Sequence, residues 1–284
     1  MSCVVKMVDV FGAEALSGNP LAVVLGAEGM TTDQMQRLTR WFNLSETAFL
    51  LPPTDPAADY RVRIFTLERE MPFAGHPTLG SCHAWLATGQ TPRKEGEIVQ
   101  QCGAGLVSIR RVQGRLFFGA PPLIRSGVPS QAELSEALQF LGIQPDEVID
   151  AAWIDNGPGW LGLRLASAEK VLALKPAATW PRRIDIGVVG PYAEGETAFE
   201  VRAFFSDYLG TIVEDPVTGS LNASLAQWLF ERGVVEDDYV ASQGSKRARK
   251  GRIYVTRDED NRIWVGGDTH TCVEGHLAGL PDPH

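Results

Sequence analysis

An α+β protein of two pseudosymmetric domains, each a β-sheet wrapped around a central helix, is what this sequence predicts. Three observations carry that reading: strand-like segments are short and numerous, each half holds only one or two helical patterns, and part of the first half recurs in the second at a fixed spacing. A chain of 284 residues has material for two ordinary domains. Its 44% hydrophobic and 21% charged content is that of a globular protein, and no apolar run reaches the roughly 18 residues of a membrane span.

The repeat is legible residue by residue. Adding 139 to each number carries Val62-Arg63-Ile64-Phe65 onto Val201-Arg202-Ala203-Phe204, and His76-Pro77-Thr78-Leu79-Gly80-Ser81 onto Asp215-Pro216-Val217-Thr218-Gly219-Ser220. Between 62 and 87 the identities are Val62, Arg63, Phe65, Pro77, Gly80, Ser81, Ala84, Leu86 and Ala87, far more than unrelated stretches share. Each copy reads as a strand, a loop, Pro-x-x-Gly-Ser and an Ala/Leu-rich helix, the helices running from about 78 to 87 and from about 218 to 231. Glycine and serine at a helix entrance leave N–H groups pointing outward at the positive end of the helix dipole, which suits an anion.

The other elements follow in order. The alternation of residues 1 to 10 predicts a first strand rather than a leader, and so a cytoplasmic location. Thr31-Thr32-Asp33-Gln34 reads as a capping box, and Met35, Leu38 and Phe42 share one face of a helix over 31–43. Ser130 and Glu133 open another, with Leu134, Ala137, Leu138 and Leu141 inward. Strands are expected over 4–10, 20–25, 47–51, 97–102, 105–111, 115–118, 151–155, 200–205, 251–256 and 262–265. Gly119-Ala120-Pro121-Pro122 marks the boundary between half-domains 1–118 and 119–284, with the last residues free to return to the first half.

Several chemistries are excluded or disfavoured. A net charge of −9 argues against a nucleic-acid partner, and the basic cluster Lys246-Arg247-Ala248-Arg249-Lys250 reads as a loop, either simply solvated or phosphate-binding. Cys3, Cys82, Cys102 and Cys272 are scattered and read as free thiols. His270 and His276 flank Cys272 without zinc-site spacing. Dinucleotide-binding, P-loop and nucleophile-elbow motifs are missing from the sequence.

Three ionisable residues remain as candidates. Glu46 stands at the mouth of the apolar strand Ala48-Phe49-Leu50-Leu51, where desolvation favours general acid/base work. His76 and Asp215 are the paired repeat positions immediately ahead of the two helix entrances. Each could equally be a turn or capping residue.

These residues carry a resemblance. Val8-Asp9-Val10-Phe11, Ser17-Gly18-Asn19-Pro20, Asn43-Leu44-Ser45-Glu46-Thr47, Arg63-Ile64-Phe65-Thr66, Pro72-Phe73-Ala74-Gly75-His76-Pro77-Thr78 and Glu214-Asp215-Pro216-Val217-Thr218-Gly219-Ser220 together resemble the PhzF, or phenazine biosynthesis-like, family of the diaminopimelate epimerase superfamily. The motifs run in the family's order to about Leu229. The resemblance implies a homodimer, no cofactor or metal, and an isomerase acting on a small carboxylic acid between the two domains. It implies Glu46 as the proton shuttle, His76 and Asp215 as its catalytic partners, and Gly75, Gly219 and Ser220 as substrate-binding residues. The superfamily's two-thiol racemases are disfavoured, because Gly75-His76 and Asp215 stand where thiols would. A small-acid binding protein and a cofactor-independent epimerase are the alternatives. Departures at Phe205-Ser206-Asp207-Tyr208, at Leu221 and at the stretched Gln243-Gly244 to Gly251-Arg252-Ile253 segment imply a reshaped pocket wall.

Overall fold

The strands and helices alternate along the chain in the order that local pattern dictates. The first stretch runs β1 (Cys3–Val10), β2 (Asn19–Leu25), α1 (Thr32–Phe42), β3 (Glu46–Leu51), β4 (Tyr60–Thr66), β5 (Glu70–Met71), α2 (Gly75–Leu86), β6 (Ile98–Cys102), β7 (Gly105–Val112) and β8 (Arg115–Gly119). The second runs β9 (Arg125–Gly127), α3 (Gln131–Leu141), β10 (Val148–Asp155), β11 (Leu161–Leu165), α4 (Ala168–Ala173), β12 (Asp185–Pro191), β13 (Phe199–Ser206), β14 (Ile212–Asp215), α5 (Gly219–Glu231), β15 (Tyr239–Gln243), β16 (Gly251–Arg257) and β17 (Ile263–Gly267). β18 (Thr269–Leu277) is the last element among the described residues. This computed structural model describes residues 3–207 and 209–279; Tyr208 and His284 are among those outside the described residues.

Two units result, Met1–Gly119 with Gly266–His284, and Ala120–Val265. In the first, β18 pairs antiparallel with β1 and β1 with β2; β2 is parallel to β3, β3 antiparallel to β4, β4 parallel to β6, and β6 antiparallel to β7. α2 touches β1, β2, β3, β4, β6, β8 and β18, so the strands wrap around it. Nearly all its residues are buried, as a helix enclosed by sheet requires. α1 is amphipathic by contrast and lays Met35 and Leu38 on Phe49, Leu51 and Phe65 from the opposite face of the strands.

The second unit pairs in the same senses: β10 antiparallel to β11, β11 parallel to β12, β12 antiparallel to β13, β13 parallel to β15, and β15 antiparallel to β16. The 139-residue spacing extends through this ladder. Glu46 faces Thr66 across β3 and β4, and Asp185 faces Phe205 across β12 and β13, so Asp185 occupies the register position of Glu46. α3 packs Ala137, Leu138 and Leu141 on Leu161, Leu163, Ile186 and Val188. Both capping boxes form, Thr31 with Gln34 and Ser130 with Glu133.

One helix starts earlier than the sequence pattern suggests. α2 begins at Gly75, so His76 lies within its first turn, and Gly80-Ser81 sit in mid-helix rather than at the entrance. Proline is tolerated in a first turn, where its missing N–H has no intrahelical acceptor, and Thr78 already returns both its N–H and its hydroxyl to the Ala74 carbonyl. The mid-helix glycine has a packing reason. A Cβ on Gly80 would lie 2.5 Å from Leu21 of β2, so glycine lets the helix approach the sheet. In the second unit Pro216 stays outside α5, which begins at Gly219 as expected, because Asp215 remains in β14 paired with Ala203.

Candidate active site

Glu46 is the first residue of β3, and the five residues after it are buried. Alternation along the strand puts Thr47, Phe49 and Leu51 toward α1 and turns Glu46 to the other face, toward α2. There its Oε2 lies 3.7 Å from His76 Nε2, with the glutamate side chain 20% exposed and the histidine 4%. That separation is too long for a hydrogen bond.

Burial pushes the His76 imidazole down to about 3, because a charged ring there would lose its hydration. The pair is therefore a carboxyl group facing a neutral ring, not an ion pair. His76 Nδ1 lies 3.5 Å from the Asn19 amide nitrogen. With Nδ1 accepting from that amide, the ring hydrogen resides on Nε2, aimed toward Glu46. Asn19 is positioned in turn by Asp9, a buried carboxylate that accepts from the backbone N–H groups of Ser17 and Gly18. Asp9 and Asn19 are site-building residues that sequence reasoning passed over; the signal was an aspartate inside the apolar strand Val8-Asp9-Val10.

A neutral buried histidine has a thermodynamic signature. Below its ordinary value of 6.5 the unfolded chain takes up a proton that the folded chain refuses until about pH 3. Stability is therefore complete above pH 6.5 and falls as pH drops through that window, by at most roughly 1.4 kcal/mol per pH unit from this residue. Denaturant midpoints measured across the window are expected to fall less steeply in His76→Gln than in the parent. An unchanged slope would contradict the burial of a neutral ring.

α2 opens at Gly75 behind the N-cap Ala74, which supplies no side-chain hydrogen bond. α5 opens at Gly219 behind Thr218, whose side chain likewise does not cap the helix. The Thr218 hydroxyl donates instead to Asp215 Oδ2 at 2.6 Å, which fixes that aspartate against the helix start. Gln243 locks the same segment: its Oε1 accepts from the Thr218 N–H and the Asn222 amide, and its Nε2 donates to Thr218 Oγ1 and to the Asp215 carbonyl. Ser220 is held by Trp160 Nε1 on its hydroxyl and by the Asn156 amide on its carbonyl. Thus Glu46, His76 and Gly75 come together in the first unit, and Asp215, Gly219 and Ser220 in the second.

Other candidates fall away on local chemistry. Asp185, the register counterpart of Glu46, receives two hydrogen bonds from Arg183 at 2.8 and 3.1 Å, which hold it as a structural anion. A cavity of about 310 Å³ in the second unit is lined by Arg125, Trp153, Arg183 and Asp185 among others, but its arginines are engaged by Glu133 and Asp185. The four cysteines are free thiols, and none opens α2 or α5. Burial raises the Cys82 thiol to about 12, which leaves it inert as a nucleophile.

Residues 8–275 match the family model described as phenazine biosynthesis-like protein. The trans-2,3-dihydro-3-hydroxyanthranilate isomerase of Pseudomonas chlororaphis is 31% identical, over 96% of this chain and 98% of that one. An uncharacterized isomerase of Pasteurella multocida is 34% identical, over 92% of this chain and 89% of its own length. A PhzF-family crystal structure from Enterococcus faecalis superposes with a TM-score of 0.79 at 25% identity, covering 98% of this chain and all of that one. No helix among the described residues is long and apolar enough to cross a membrane. The chain belongs to the phenazine biosynthesis-like (PhzF) family and is an isomerase.

Proposed function

We propose that this isomerase moves a proton between two carbons of a small, cyclic or unsaturated carboxylic acid without a cofactor, with Glu46 taking the proton from one carbon and returning it to another on the same face. The observation that carries this reading is the Glu46–His76 arrangement: a partly desolvated carboxyl group 3.7 Å from an imidazole that stays uncharged. A charged histidine would hold the carboxylate in an ion pair and weaken it as a base. A neutral ring can donate one hydrogen bond while leaving the carboxyl group free to exchange a proton with the substrate.

The remaining roles rest on the repeat and on the helix starts. The uncapped N–H groups at Gly75, and at Gly219 and Ser220, suit the substrate carboxylate and the negative charge that develops as the proton leaves. Asp215, fixed by Thr218, is the second unit's counterpart of His76 and positions the substrate or relays a proton. The shared pairing order and the 139-residue spacing support descent from a duplicated half. The substrate of the Pseudomonas chlororaphis relative is the natural first compound to try.

Incubating trans-2,3-dihydro-3-hydroxyanthranilate and other unsaturated acids with the enzyme in deuterated water, and locating the label by NMR, tests the reaction type. Label at a carbon two bonds from the one that lost its hydrogen is the expected outcome. Label only at the original carbon, with inversion of optical rotation, would replace the proton shift with epimerisation.

A further inference from the structure

Several arginines of this acidic chain have a carboxylate partner, among them Arg63 with Glu70, Arg115 with Asp268, Arg125 with Glu133, Arg183 with Asp185 and Arg202 with Glu214. The turn between β15 and β16 differs in gathering cations side by side. It places Lys246, Arg247, Arg249 and Lys250 within five residues, and among the described residues the side chains of Lys246, Arg247 and Lys250 make no ion pair and no hydrogen bond and are exposed. Like charges so close repel one another, and a chain with a net charge of −9 does not need them for solubility.

The turn is fixed, and it is fixed against the candidate site. The Gly244 carbonyl accepts from the N–H groups of both Arg247 and Arg249, at 2.8 and 3.0 Å. Gly244 itself has φ 96° and lies so close to the loop before α5 that a Cβ there would sit 2.5 Å from the Pro216 carbonyl oxygen. Val217 packs on Gly251 at the other foot of the turn, where a Cβ would sit 2.6 Å from Val217 Cγ2. Gln243, the residue just before the turn, is the one that locks Asp215 and Thr218 to the start of α5. A merely solvated loop has no need of such anchoring to the Asp215–Ser220 segment.

We infer that the turn Ser245–Lys250 recognises a second anionic group on the substrate, so that this isomerase acts on acids carrying a carboxylate plus a further carboxylate or phosphate. The inference rests on the reading of the Asp215–Ser220 segment as part of the substrate site. One anionic group lies at the helix start, and the other reaches the basic turn that packs against the same loop. Unpaired cations that gain a partner only when ligand binds contribute to affinity without first having to break an existing ion pair.

The test is a calorimetric titration of the full-length protein and of the triple variant Lys246→Gln, Arg247→Gln, Lys250→Gln with butyrate, glutarate and 3-phosphonopropionate. The parent is expected to bind the two-anion probes roughly tenfold more tightly than butyrate, and the variant to bind all three like butyrate, with butyrate itself unchanged. Whether glutarate or 3-phosphonopropionate binds more tightly assigns the second group. Equal affinities in the parent, an equal loss for butyrate in the variant, or variant-sensitive binding confined to a single-stranded oligonucleotide would each overturn the inference and leave the proton-shift reading standing. A glutarate preference that persists alongside full wash-in activity in Glu46→Gln would overturn that reading instead.

Discussion

Replacing Glu46 with glutamine is expected to leave the fold intact and to lower turnover roughly a hundred- to ten-thousand-fold, the range that a positioned acid/base contributes. The side chain is nearly isosteric and sits at a strand end with 20% exposure, so it supports little of the core. Glutamine keeps the shape and cannot carry the proton. Thermal unfolding within a few degrees of the parent, with label incorporation almost abolished, is the result to look for. If kcat alone falls and KM holds, the carboxyl acts in the chemical step and not in binding. Near-parental turnover would remove Glu46 from the mechanism.

The largest stability effect belongs to an arginine that the repeat places twice. Arg63 and Arg202 occupy the same register, each reaches a glutamate on the next strand, and each lies over a phenylalanine ring, Phe65 and Phe204. Their burial differs. The Arg63–Glu70 side chains are 25% and 40% exposed, whereas those of Arg202 and Glu214 are 6% and 14% exposed. Arg202 also donates to the carbonyls of Val171 and Leu174, tying α4 to β13. Arg202→Ala strands a buried carboxylate and two carbonyls, and is expected to cost about 3–5 kcal/mol. Arg63→Ala breaks a solvated pair and is expected to cost about 1 kcal/mol or less. Urea unfolding of both variants checks the contrast; equal losses would show that burial does not govern these pairs.

The sequence made the grammar of each half readable and hid its registers. Capping boxes at Thr31 and Ser130 and the apolar stripes behind them are local signals, and both helices lie where those signals place them. β11, β12, β14 and β18 carry no clear strand pattern in the sequence, for separate physical reasons. Leu161–Leu165 and Asp185–Pro191 carry glycines where helix and sheet approach, Ile212–Asp215 is too short for a period, and Thr269–Leu277 exposes polar residues on both faces. The sequence places His76 before a helix because proline ordinarily marks an entrance, and only tertiary context shows that Pro77 lies inside the first turn. The Glu46–His76 approach joins residues thirty apart through β3 and α2, so the site residues could be named from motifs while their distance and the uncharged state of the ring could not. Asp185 stayed invisible because its kinship with Glu46 lies in strand register and not in residue identity.

The face on which the proton travels tests the account most directly. An acid found to wash in solvent label can be prepared stereospecifically deuterated at the carbon that loses hydrogen, then converted in ordinary water, and the product's labelled face read by NMR. A single carboxyl group beside an uncharged ring predicts delivery to the face from which the deuteron left, with some label retained. Delivery to the opposite face would require a second acid and would contradict a mechanism built on Glu46 alone.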